Sequence, residues 1–116
     1  MSRKRNIKEA AHGVPRKQEP ALTPEQIRCL MEEINPEALT PDGFDGNKFG
    51  YDEAIMGYVE QCGKPAVYCY DAQKMAEILV GKFNMSWEAA YEWLEFNTFG
   101  AYISEHQPMW FYRFQG

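Results

Sequence analysis

Histidine is scarce, the cysteines are few and unpaired in spacing, and no long apolar run occurs; each shortage removes a class of function. His12 and His106 are the two histidines and lie far apart in the chain, so a histidine-rich metal site is not expected. Cys29, Cys62 and Cys69 are odd in number and show no C-x-x-C pair. That predicts reduced, semi-buried thiols in a cytoplasmic protein rather than a disulfide framework, a zinc site or a redox motif. The first residues, MSRKRNIKEAAHG, are charged like the start of a signal peptide, but the apolar stretch of about 7 to 15 residues that should follow is missing. Nor is any run long enough to span a bilayer. The expectation is a protein neither secreted by that route nor held in a membrane. No Walker or dinucleotide glycine pattern is present, and nothing in the sequence calls for a cofactor.

What is present suffices for one domain. Of the 116 residues 45% are apolar and 15% aromatic, enough to build a real core. The net charge of -5 divides unevenly. Residues 1 to 20 hold Arg3, Lys4, Arg5, Lys8, Arg16 and Lys17 against Glu9 and Glu19, net +4, whereas residues 21 to 116 carry net -9. The first segment is polar, lacks a sustained hydrophobic period and ends in Pro15 and Pro20. It reads as a flexible basic arm before a single domain over 21–116. Arg3, Lys4, Arg5, Arg16 and Lys17 are its candidate contacts, to nucleic-acid phosphates or to an acidic protein surface.

Hydrophobic spacing and capping residues give the domain an α+β outline. Thr23-Pro24-Glu25-Gln26 has the form of a capping box with proline at the first helical position. Ile27, Leu30, Met31 and Ile34 follow at helical spacing, and Asn35-Pro36 stops the run. Residues 41–51, PDGFDGNKFGY, read as a loop. Asp42 and Glu53 mimic the ends of a calcium loop, but Phe44 and Gly46 stand where oxygen ligands belong and Asn47 where the turn needs glycine. Ala54–Glu60 and Ala66–Tyr70 read as a hairpin, apolar on both faces. Asp71 is expected to cap a helix carrying Met75, Ala76, Ile78, Leu79 and Phe83 and interrupted late by Gly81. Ser86 is expected to cap a second, with Ala90, Trp93, Leu94 and Tyr91 inward and Glu88, Glu92 and Glu95 outward. Met109–Tyr112 reads as a closing strand. The predicted order is α-β-β-α-α-β around a small three-stranded antiparallel sheet.

Several strings match a known pattern in order: GYDEAIMG (Gly50–Gly57), Tyr70-Asp71 before a helix, MSWEAAYEWLEFNTFGAY (Met85–Tyr102) and SEHQPMW (Ser104–Trp110). They resemble a family of small uncharacterised bacteriophage and prophage proteins with the motifs G-[FY]-D-[ED]-A-I-x-G, M-[ST]-[YW]-E-E-A and E-F-N-x-x-G-A-[YW]. About half the chain is covered. Ser104 and Gln107 depart from the glycine and threonine usual there, and Ala89 from a common second acid. The resemblance implies a viral origin, and with it the host-cell cytoplasm or the virion as location; it implies no activity.

Candidate chemistry is thin. An enzyme would draw on Asp52, Glu53, Asp71 and Glu95 with His106, yet an acid–base pair needs convergent placement that sequence does not supply. Cys62 and Cys69 have no partner that would activate a nucleophile. Asn97 reads as a helix-terminating residue tolerant of left-handed angles, or, with Glu95 and His106, as the lining of a polar groove. Tyr58, Tyr68, Tyr70, Trp110 and Tyr112 fall on the hairpin and last strand, where side chains alternate between faces, so some are expected on an outer sheet face unless helix 24–34 covers it. Tyr58, Tyr68 and Tyr70, joined to Glu88 and Glu92, form the candidate contact surface for a partner. The resulting expectation is a non-enzymatic, phage-encoded protein that binds a host or viral macromolecule as inhibitor or adaptor. A nucleic-acid-associated or virion accessory protein anchored by its basic arm is the alternative.

Overall fold

The computed structural model describes residues 22–41 and 49–114. The basic segment 1–20 and the calcium-loop positions 42–48 lie outside the described residues. The described elements are helix α1 (Pro24–Ile34), a 3-10 turn (Tyr51–Ala54), strands β1 (Ile55–Val59) and β2 (Val67–Asp71), helices α2 (Ala72–Phe83) and α3 (Trp87–Leu94), a π turn (Glu95–Phe99) and strand β3 (Met109–Phe111). The fold is α+β, with three helices and a three-stranded sheet among the described residues.

Each helix begins where a side chain can satisfy backbone N–H groups left over in a first turn. Thr23 Oγ1 accepts from Gln26 N at 3.2 Å while Gln26 Oε1 accepts from Thr23 N at 2.8 Å, completing the capping box of α1. Asp71 accepts from Gln73 N at 3.0 Å and Lys74 N at 3.3 Å, and Ser86 Oγ accepts from Ala89 N at 3.1 Å. Helix α2 runs through Gly81 without interruption to Phe83 and ends at Asn84, whose φ of 58° is left-handed. The left-handed cap expected at Asn97 is thus found at Asn84, the one non-glycine with positive φ among the described residues. Asn97 instead sits in the π turn, where its Nδ2 donates to Trp93 O at 3.0 Å.

The sheet is mixed rather than antiparallel throughout. β1 and β2 form the expected antiparallel hairpin, but β2 and β3 are parallel, pairing Cys69, Tyr70 and Asp71 with Met109, Trp110 and Phe111. Parallel neighbours need a long crossover, which the α2–α3 segment supplies. Local strand signals at Met109–Phe111 carry no information about direction.

Paired residues share a sheet face. Tyr70, paired with Ile55 on one side and Trp110 on the other, and Tyr58 opposite Tyr68 form one face. Met31 of α1, Met75 and Leu79 of α2, Ala90 and Leu94 of α3, and Tyr51 and Ala54 of the 3-10 turn join Tyr68 and Tyr70 in a single core. Helix α1 therefore packs on the same face as α2 and α3, not on the opposite one. Tyr51, Tyr70, Met75, Leu79 and Leu94 are its largest fully buried side chains. Met75, Leu79 and Leu94 each contribute about 1.5–3 kcal/mol by leaving water. The other face carries buried Val67, half-buried Val59, Cys69 and Phe111, and exposed Met109.

Candidate functional site

The apolar stripe of α1 is wider than the core can cover. Its inner edge buries Met31, but Leu30 stays 48% exposed. Opposite it, a bulge between Ile55 and Gly57 breaks the alternation of β1, and Gly57 takes φ 152°, a conformation suited to glycine. Ile55, Met56 and Tyr58 consequently all line one wall of a groove whose other wall is Leu22, Ile27, Leu30 and Ile34, with Met56 50% exposed. The groove holds about 500 Å³ and has a mainly apolar lining. β1 is also a terminal strand of the sheet.

Two polar anchors hold α1 in place. Arg28 Nη2 donates to both oxygens of buried Asp52 at 2.9 and 2.8 Å, tying the helix to the 3-10 turn. At the far end Asn35 Nδ2 donates to Ala66 O at 2.7 Å, and Asn35 Oδ1 accepts from Glu37 N at 3.1 Å. Asn35 Nδ2 also lies 3.2 Å from His106 Nδ1. The other ring nitrogen, Nε2, faces Glu37 Oε1 at 3.6 Å. Tyr68, under the groove, has its phenol pKa pushed up, first by burial; Arg28 opposes this, and the nearby carboxylates Asp52 and Glu32 add to it.

These placements correct the tyrosine surface. Tyr68 is 5% exposed and Tyr70 is completely buried, and Tyr58 is a half-buried groove wall. They cannot form an open face with Glu88 and Glu92. Those two glutamates instead line a shallow depression with Tyr91, Glu95 and Phe96 along α3 and the π turn. Tyr112 has its phenol pKa raised by burial and then by Glu95 and Tyr91.

The polar groove of Glu95, Asn97 and His106 is not assembled. Glu95 belongs to that depression, Asn97 to a cleft of about 30 Å³ beside Gln107 and Trp110, and His106 to the Asn35 anchor. The acid–base candidates are dispersed as well. Asp52 pairs with Arg28, Asp71 caps α2 and reaches Arg113 at 3.4 Å, and Glu53 and Glu95 are exposed. Among the described residues no group of three or more His, Cys, Asp or Glu side chains is placed to hold a metal ion. No helix among them is long and apolar enough to cross a membrane. Burial and the neighbouring Asp71 push the Cys69 thiol up, which disfavours the nucleophilic thiolate.

Sequence reasoning passed over the groove. Its signal was Leu22 immediately before the Thr23 cap and Ile27 four residues into the helix, the two positions of a hydrophobic staple; both line the groove. Comparison with protein-family models, curated proteins and solved structures found no match to this chain.

Proposed function

We propose that this chain is a non-enzymatic binding protein of phage origin, an inhibitor or adaptor that engages a host or viral protein in the host cell. The α1–β1 groove is its contact surface. The observation that carries the reading is the exposure of Leu22, Leu30 and Met56 around one apolar groove beside a sheet edge. A continuous concave apolar surface is the usual form of a recognition site. The engagement of Asp52, Asp71 and His106 in structural contacts supports binding over catalysis, and the sequence resemblance supports the viral origin. The net +4 of residues 1–20 favours the second reading, a nucleic-acid-associated or virion accessory protein held through Arg3, Lys4, Arg5, Arg16 and Lys17.

The test replaces exposed groove residues by polar ones suited to their elements, Leu30→Gln on the helix and Met56→Thr on the strand. Both variants are expected to fold, by circular dichroism, and to lose the partner captured by the wild-type chain from infected cells. Undiminished capture of that same partner by both would refute the groove as the contact surface. Capture of nucleic acid lost on raising salt would favour the second reading.

A further inference from the structure

We infer that the depression along α3 and the π turn is a second contact surface, one that takes arginine side chains of a partner polypeptide onto the ring of Phe96 and the carboxylates of Glu88, Glu92 and Glu95. It shares no lining residue with the α1–β1 groove and stands independently of it. The most exposed ring of this helix face is its starting point. Phe96 is 87% exposed, and beside it half-buried Tyr91 has the Trp87 ring stacked on it at 6.4 Å. Glu88, Glu92 and Glu95 follow at i, i+4 and i+7, so they run along one face of α3 and its C-terminal cap. Like charges at that spacing repel, and Glu92 and Glu95 also meet the negative end of the helix dipole. The last turn of α3 holds no basic residue to balance them. Among the described residues no lysine or arginine pairs with these three carboxylates; Lys74 is paired with Glu77, and Arg113 with Asp71. Packing accounts for neither the uncovered ring nor the unbalanced charge, and local rules broken without internal compensation mark functional surfaces. One chemical group answers both. A guanidinium lays its flat face on an aromatic ring while its edge donates to carboxylates, whereas the compact ammonium of lysine matches the charge but not the ring face.

The experiment measures binding of three labelled glycine–serine peptides to the full chain by fluorescence anisotropy; they carry arginine, lysine or glutamine at the same alternate positions. At low salt the arginine peptide is expected to bind about tenfold more tightly than the glutamine peptide and about threefold more tightly than the lysine peptide. Raising salt to about 0.5 M should weaken both charged peptides. Phe96→Leu keeps the bulk and removes the ring, so it should erase the preference for arginine over lysine while leaving the salt-sensitive part. Paired substitution Glu92→Gln with Glu95→Gln should weaken both charged peptides by about fivefold. The same change in net charge made elsewhere, at exposed Glu25→Gln with Glu105→Gln, should leave them in place. A preference for arginine that survives Phe96→Leu, or equal losses from the two glutamate pairs, would overturn the inference. Loss of the arginine peptide on Leu30→Gln or Met56→Thr would overturn it by moving the peptide to the groove; the groove's own role rests on partner capture and is untouched by failure here. Replacing Arg3, Lys4, Arg5, Arg16 and Lys17 by glutamine tests self-occupancy. Tighter peptide binding by that variant would overturn the inference by making the chain's own basic segment the occupant, and unchanged binding would support it.

Discussion

Tyr68 illustrates how a single side chain records its surroundings. Its neutral phenol is favoured in the fold because burial and the carboxylates of Asp52 and Glu32 outweigh the help Arg28 gives to the anion. The folded pKa therefore lies above the unfolded value of about 10. The stabilisation this represents is complete below the unfolded value and is lost as pH rises through the folded one. Urea midpoints measured at about pH 8.5 and about pH 11 should accordingly fall less for Tyr68→Phe than for the wild-type chain. An equal fall would show that Tyr68 does not couple to folding. The candidate-site residues divide at this scale by what they touch. Asp71 and Ser86 were legible as caps because a cap needs only a polar side chain at the right offset from an apolar run. His106 was not legible as a partner of Asn35, since the two are brought together by tertiary packing alone.

Among the elements, the π turn departs furthest from what local pattern suggests. Its widened backbone turns Phe99 onto Trp110, with ring centroids 4.8 Å apart, and so ties the end of α3 to β3. Gly100 closes it by donating to Glu95 O at 3.0 Å. A Cβ added there would stand 2.6 Å from that same oxygen. Gly100→Ala should therefore destabilise the protein by about 1–3 kcal/mol through forced backbone movement, read as a lower melting temperature with altered tryptophan fluorescence. An unchanged melting temperature would mean that the turn is free to adjust. Helix starts, the hairpin and the α1 stripe could be read ahead of the structure because their signals lie within a few residues. The extra residue of a π turn leaves no such pattern in EFNTF, and α2 runs past Gly81 because packing on Leu79 and its neighbours outweighs the modest helix cost of one glycine.

For the whole molecule, the question is which side of the sheet the helices occupy. Tyr70 meets Trp110 on the same sheet face and belongs to the core shared by all three helices. Tyr70→Ser is therefore expected to cost about 3–5 kcal/mol, comparable with other deletions of a large aromatic core side chain, as measured by urea unfolding. A surface tyrosine would lose almost nothing, so an unchanged midpoint would restore the open-face reading. The sequence by itself determined the α+β class, the order of the elements, the capping residues and the apolar stripes, because each follows from propensity and spacing along the chain. Only the tertiary structure decided that β3 runs parallel to β2, that α1 joins α2 and α3 on the tyrosine face, and that Leu30 and Met56 are left beside an open groove. Those outcomes depend on the path of the crossover and on which apolar surfaces meet. Spacing along the chain places a residue on a face of its element but does not say what that face will touch.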